Sequence, residues 1–425
     1  MVISENARPG TNPQSRGQAL TPKVQNVSAL IAHFKKGWIM VIEAIGRRLR
    51  LAVIGGGPGS VIGEVHRIAA RLDGYYDIVA ATLSSDPERA RRAGIAIGVP
   101  EDRAYPSAQA LIEGEAERAD RADVIAVMTP NDSHYEICSL ALDAGFHVVC
   151  DKPLTTDLSS AVSLARKVKA AGAEFCLTHC YTGYPMVRQA QAMVHAGAIG
   201  PIRQLHLQYV QGYLAAENVP PGWRLDPARI GGSMILIDIG THAHHLGAYV
   251  TGLDLESLCA DVGHVVPGRQ VDDYASLLLR YSNGARGSMW VTNAASGAEH
   301  GLSFRIFGQT GGLEWHQEEP NRLVHRKREG FDEIVTRRKD SLVVDAARQV
   351  TRVEIGHPEG YLEAFANLYS DFARAVVARM RHEPPDQIDR AFPTVEDGVK
   401  GLAFVEAAIE SSALRKWKTV EVPLA

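Results

Sequence analysis

From Arg50 onward, short apolar runs that stop at glycine or polar turns alternate with amphipathic stretches. Leu49-Arg50-Leu51-Ala52-Val53-Ile54 runs into Gly55-Gly56-Gly57, the pattern of a strand buried on both faces. Glu64 to Leu72 repeats its apolar positions at helical spacing, and Asp77 to Leu83 is a second strand. Asp86-Pro87-Glu88 carries a helix-start signature, with Asp86 as cap and proline at the first helical position. Asp123 to Met128 is another buried strand, stopped by Thr129-Pro130-Asn131. A helix through Leu142 then leads to Gly145 and the strand His147 to Cys150. Strand and helix in this alternation predict βαβ units and an α/β fold with a doubly wound parallel sheet of Rossmann type.

Past about Phe175 the pattern changes. Gln204 to Val210 alternates as a half-exposed strand does. Tyr274 to Tyr281 and Arg286 to Thr292 flank Asn283-Gly284, a hairpin signal, and Leu302 to Phe307 and Gly312 to His316 add strands. Tyr361 to Met380 and Val395 to Leu414 have the periodicity of long amphipathic helices. The expected organisation is an N-terminal extension over 1–47, a Rossmann domain over 48–175, and an α+β domain over 176–425. The last domain should carry a large, mostly antiparallel open sheet, with its final helices packing back towards the first.

Composition narrows the partners. The chain has 425 residues, 45% of them apolar and 22% charged, with a formal net charge of −4. That balance supports neither nucleic acid nor an acidic membrane surface as a partner, and no apolar run reaches the ~20 residues of a membrane helix. Cys138, Cys150, Cys176, Cys180 and Cys259 are odd in number and scattered, which fits packed thiols in a reducing, cytoplasmic setting. Residues 1–23 are polar and rich in Pro, Gly and Asn, the composition of a disordered arm. Met40 is the expected true start of translation.

The loop Val53-Ile54-Gly55-Gly56-Gly57-Pro58-Gly59-Ser60-Val61-Ile62-Gly63-Glu64-Val65-His66 follows a buried strand and opens a helix. Glycine there lets the backbone approach a pyrophosphate whose charge the helix N-terminus stabilises. Yet Ser60 occupies the place where G-x-G-x-x-G requires its third glycine. Further along come Thr129-Pro130-Asn131 with His134, then Asp151-Lys152-Pro153, Gly231-Gly232, and Asp238 four residues before His242. With the loop, these segments in this order resemble the Gfo/Idh/MocA oxidoreductases, which include glucose–fructose oxidoreductase and inositol dehydrogenase. The resemblance runs from about Arg48 to the C-terminus. It makes Gly63 and His66 the displaced third glycine and final histidine of a longer loop. Asp151 stands where the family usually has glutamate.

The resemblance implies an NAD(P)-dependent dehydrogenase or reductase of a secondary hydroxyl. His242 would be the base, Lys152 a polarising cation or proton partner, and Asp238 a substrate-contacting or orienting group. From the spacing alone, Asp238 and His242 on a helix share one face, where an acid orients an imidazole. The cofactor set is Gly55, Gly57, Pro58, Gly59, Ser60, Ile62, Ser84, Ser85, Arg89, Thr129, Pro130, Asn131, His134, Asp151 and Lys152. Substrate contacts are expected from Lys152, His179, Tyr181, Trp223, Arg224, Asp238 and His242, although His179 and Trp223 read equally well as core residues.

Relatives carry Arg-Phe before a proline where this chain has Thr182-Gly183-Tyr184-Pro185. Its loss points to an uncharged sugar, glycoside or cyclitol. Ser84-Ser85 ends the second strand where an NAD binder places an acid, but no arginine follows directly, so NAD is preferred over NADP. His242, His244 and His245 diverge too far on a helix to share a metal, and none is expected. The resemblance further implies a homodimer or homotetramer. Two alternatives are an NAD-dependent glycoside-cleaving enzyme that oxidises transiently, and a non-catalytic cofactor-binding regulator. The regulator's signature is loss of the lysine or histidine, and both are present.

Overall fold

The strand β1 (Leu49–Gly55) is buried along nearly its whole length because a strand lies on either side of it and helices cover its faces. A computed structural model describes residues 41–219, 222–338, 340–384 and 390–423. The expectations for residues 1–40, including the disordered arm and the start at Met40, lie outside the described residues. Residues 41–45 form a helical turn, Val41 is buried, and Arg47 makes a two-pronged pair with Asp123 at 2.6 and 2.8 Å. Ordered packing therefore begins before Arg48, because this pair and Val41 tie the segment to the first sheet.

β1 pairs in parallel with β2 (Tyr76–Thr82) on one side and β3 (Val124–Met128) on the other. β4 (His147–Cys150) and β5 (Phe175–Leu177) complete a five-stranded parallel sheet of order β2-β1-β3-β4-β5. The order reverses between β1 and β3, and ligands of doubly wound sheets bind outside the carboxyl ends of the strands at that point. Helix α1 (Val61–Leu72) starts there, capped by Ser60.

The second sheet has nine strands, β6 (Ile202–Val210), β7 (Leu255–Gly263), β8 (Tyr274–Tyr281), β9 (Arg286–Thr292), β10 (Gly301–Gly308), β11 (Gly311–His316), β12 (Arg322–Lys327), β13 (Glu333–Thr336) and β14 (Lys418–Thr419), in the order β13-β12-β11-β10-β6-β9-β8-β7-β14. Its pairs are antiparallel except β6 with β9 (Arg286–Thr292), which run parallel. The Asn283-Gly284 hairpin joins β8 (Tyr274–Tyr281) to β9, with Gly284 at φ 85° as that turn requires. One face of the sheet is buried through Leu205, Leu207, Tyr209, Leu277, Leu279 and Phe304. Helix α2 (Thr241–Thr251) packs against that face at β6.

The C-terminal helices return to the first sheet. α3 (Tyr361–Met380) lies against α1, and the Tyr369 hydroxyl is 2.8 Å from His66 Nδ1 while Tyr76 donates to the Tyr369 carbonyl at 2.8 Å. α4 (Val395–Leu414) packs on the helix Leu158–Ala171 and on β7 (Leu255–Gly263). These two helices thus link the second sheet's domain to the first sheet. Among the described residues, no helix is long and apolar enough to cross a membrane.

Candidate active site

The phosphate-loop candidate is built from glycines that the backbone needs. Gly55 and Gly56 have φ of 82° and 63°, a region that strains any side chain. A Cβ on Gly57 would lie 2.0 Å from the Leu83 carbonyl oxygen, and one on Gly63 would lie 2.1 Å from that of Gly56. Gly63 therefore makes the close helix-to-strand contact of the third glycine, as the displaced motif implied. Ser60 Oγ accepts from the Gly63 N–H at 3.2 Å, so Ser60 is the cap of α1. Pro58, Gly59 and Ser60 form the widened turn, and Val61 beside it is 78% exposed at the rim. An open helix N-terminus at the sheet reversal, with glycines at both backbone approaches, fits a dinucleotide pyrophosphate. Substituting Gly63 by alanine should destabilise the protein by about 1–3 kcal/mol through overpacking and weaken NADH binding. A urea melt and a fluorescence titration check both, and unchanged values would contradict the close approach.

At the end of β2, Ser84 Oγ accepts from Arg89 Nε at 2.7 Å and from the Asp86 N–H at 3.1 Å. The Asp86 carboxylate caps the next helix by accepting from the Arg89 N–H at 2.7 Å. Ser84 and Arg89 thus meet just past β2, and Arg89 and Ser85 are both exposed there.

Thr129, Pro130 and Asn131 follow β3, and Asp151 and Lys152 follow β4, so both loops reach the carboxyl edge. His134, expected to touch cofactor, is instead fully buried. Its ring nitrogens lie 2.8 Å from the Pro153 carbonyl and 2.9 Å from the Thr129 carbonyl. It ties the two loops together. Asp151 is also engaged within the protein: it accepts from Thr178 Oγ1 at 2.8 Å and faces His66 Nε2 at 3.7 Å. Burial raises its pKa, but His66, Lys152 and Thr178 outweigh burial and hold the carboxyl well below the usual range.

The other wall comes from the second domain. Residues Leu236–Gly240 form a π-helical turn that runs into α2, a geometry that recurs at functional sites. Asp272 anchors its entrance by accepting from the Met234 and Ile235 N–H groups at 2.7 and 3.2 Å. Asp238 sits inside this turn. Lys152 Nζ donates to Asp238 Oδ1 at 2.9 Å and to its carbonyl at 2.5 Å. Tyr213 donates to Oδ2 at 3.1 Å, and Arg224 Nε lies 3.6 Å from Oδ1. Burial raises the Asp238 pKa, but Lys152, Arg224 and Tyr213 hold it well below the carboxylate range. Asp238 thus pairs directly with Lys152, and on the expected partner His242 it acts through its charge, which raises that ring's pKa against burial and Lys152.

His242 is buried among rings, with Tyr181 edge-on at 4.8 Å and Tyr209 at 6.2 Å between centroids. The Tyr181 and Tyr209 hydroxyls hydrogen-bond each other. Burial, and then the Lys152 charge, push the His242 pKa well below 6.5, so the ring is neutral. Its hydrogen-bond partner among the described residues is His179, Nδ1 to Nδ1 at 3.3 Å. Trp223 stacks under the Arg224 guanidinium at 4.4 Å, at the mouth beside Asp238. His244 points elsewhere, stacked on Phe404, with burial holding its pKa down to about 3.

Sequence reasoning missed Tyr213, Tyr209, Thr178 and Asp272. Tyr213 carried a weak signal, an aromatic residue just past a strand end in a polar loop. Asp272 carried none, because its partners are 37 and 38 residues away.

Residues 49–179 match an oxidoreductase family model described as an NAD-binding Rossmann fold, and residues 187–314 match the GFO/IDH/MocA C-terminal domain. The chain is 32% identical over 376 residues to an uncharacterized oxidoreductase, YfiI, of Bacillus subtilis, covering 87% of this chain and 95% of that one. A crystal structure of an oxidoreductase from Sinorhizobium meliloti superposes with TM-score 0.79 at 40% identity, covering 88% of this chain and 99% of the other. An inositol dehydrogenase homolog from Azotobacter vinelandii, complexed with NADH and myo-inositol, superposes with TM-score 0.83 at 34% identity, covering 88% and 98%.

Proposed function

The chain belongs to the GFO/IDH/MocA oxidoreductase family, and from that premise we propose that it transfers a hydride between nicotinamide and a secondary hydroxyl or ketone of an uncharged sugar, glycoside or cyclitol. The observation that carries this reading is the 2.9 Å pair of Lys152 with Asp238 across the two domains, with neutral His242 four residues beyond. Bound nicotinamide supplies the hydride acceptor in oxidation and the donor in reduction. Neutral His242 takes the hydroxyl proton at its cleft-facing nitrogen in oxidation and returns it in reduction. The Lys152 ammonium, fixed by Asp238, stabilises the negative charge that builds on the same oxygen. The tyrosine rings and Trp223 exclude water and pack on C–H faces. Asp238 already neutralises Lys152, which favours an uncharged polyol over a sugar phosphate.

NAD is the preferred cofactor in this proposal, because Arg89 is already engaged by Ser84. The experiment is a spectrophotometric screen of myo-inositol, levoglucosan and D-xylose against NAD+ and NADP+. Turnover with at least one polyol, faster with NAD+, is expected. No reduction of either nucleotide by any sugar or cyclitol would contradict the proposal.

The free, mostly buried thiols suit the cytoplasm. Leu278, Trp290 and Phe307 are 56%, 39% and 38% exposed on the open face of the nine-stranded sheet. A second copy covering this strip would give the proposed homodimer or homotetramer. Light scattering should report an oligomer for the parent and a smaller species for Trp290→Glu, whereas a monomeric parent would contradict this part.

A further inference from the structure

His242 and His179 face each other through like nitrogens, Nδ1 to Nδ1 at 3.3 Å. Two N–H groups would clash at that distance and two lone pairs would repel, so the neutral pair holds one proton between them. Which ring carries it decides what His242 presents to the cleft. We propose that His179 is a positioning residue: it accepts a hydrogen bond from His242 Nδ1–H and so fixes His242 in the tautomer whose Nε2 lone pair faces substrate. The proposal deepens the function above and rests on His242 being the base.

Three features of the surroundings favour this direction. First, His242 Nδ1 is occupied by His179, so Nε2 is the nitrogen left for the substrate hydroxyl, and it must carry a lone pair to accept a proton. Second, the His179 ring cannot easily turn away. It is 2% exposed and stacks on His245 at 4.6 Å and 18°, and His245 Nε2 lies 3.7 Å from Asp397 Oδ1. Third, Asp238, the carboxylate on the same turn, is held by Lys152, Tyr213 and Arg224. The pair is faced by Lys152, Asp238, Asp151, His244, His245, Tyr181 and Tyr209.

A neutral acceptor has a different consequence from a carboxylate one. A carboxylate accepting from His242 Nδ1–H would raise its proton affinity more than a neutral ring does. An imidazole fixes the tautomer without that rise, so the base stays unprotonated until substrate delivers its proton. In oxidation the substrate O–H bond breaks, the proton goes to His242 Nε2, and the existing Nδ1–H bond to His179 then carries part of the imidazolium charge.

Nitrogen NMR of the full chain with 15N-labelled histidine tests the claim without a substrate, with His242 assigned by its absence in His242→Ala. An Nδ1–H tautomer at His242 is expected in the parent and in His179→Asn, whose amide oxygen can accept the same bond. It should give way to Nε2–H or a mixture in His179→Leu. An Nε2–H tautomer in the parent overturns the proposal, and so does an unaltered Nδ1–H tautomer in a folded His179→Leu. If the leucine variant fails to fold, the parent and asparagine spectra still decide. With myo-inositol and NAD+ as probes, His179→Leu should lose about 10²-fold in kcat with little change in KM, and His179→Asn should recover most of it. Undiminished turnover of His242→Ala would sink the base assignment instead, leaving the tautomer result standing.

Discussion

Replacing His242 by alanine is expected to lower kcat by about 10²–10⁴-fold while the protein still folds and still binds NAD(H). The ring is held among Tyr181, Tyr209 and His179 rather than by any charged partner, so its loss leaves a cavity without stranding a buried charge. The destabilisation should stay near the ordinary range for a buried side chain, about 1–3 kcal/mol. The parent's pH profile carries the same information. Burial and the Lys152 charge hold the His242 pKa well below its ordinary 6.5 in the folded protein. The base is thus deprotonated far into the acid range, and kcat/KM should show no acid limb at 6.5 from this group. Stability behaves in the opposite sense: in the unfolded chain the ring protonates as pH falls through 6.5, so this group's contribution is lost from that point downward. A kcat/KM limb at 6.5 that vanishes in His242→Ala would contradict the assignment.

Replacing Lys152 by methionine is expected to lower kcat by roughly 10²–10³-fold, the usual effect of removing one donor from a developing oxyanion. Unlike the His242 variant, it should also lower the melting temperature. Among the described residues, Asp238 would keep Tyr213 and a half-exposed Arg224 as partners for a carboxylate that Lys152 now holds ionised. The paired variant Lys152→Met with Asp238→Asn removes both charges and should regain melting temperature without regaining turnover. Recovery of turnover in the pair would mean that the lysine serves structure alone. NADH titration by fluorescence separates either outcome from loss of cofactor binding.

Much of this architecture was legible because it is local. Buried parallel strands are continuous apolar runs, and the run into Gly55-Gly56-Gly57 needs no partner to be recognised. The Asp86 cap and the Asn283-Gly284 turn are each set by residues within three or four positions. The displaced Gly63 was placed through the family resemblance, and its physical reason is that a Cβ there would collide with Gly56. The non-local parts were harder. Asp238 and His242 were read as sharing an α-helical face, yet Leu236–Gly240 is a π turn whose entrance Asp272 holds from far along the chain. Nothing in an apolar string such as Leu-Ile-Asp-Ile-Gly separates an α turn from a π turn over five residues. The same distance problem hid the His179 to His242 contact, 63 positions apart, and left His179 divided between core and site. His134 misled in another way: a histidine in a motif next to cofactor loops need not face the cofactor, and this one spends both nitrogens on the loops themselves.

The central physical claim is that an ammonium from one domain and an imidazole from the other converge on a single substrate oxygen. A crystal structure of the protein with NADH and a polyol that it turns over tests this most directly. One hydroxyl oxygen should lie within ~2.6–3.2 Å of both Lys152 Nζ and His242 Nε2, with its carbon against the nicotinamide ring. A polyol bound with its reacting hydroxyl out of reach of either group would contradict the account.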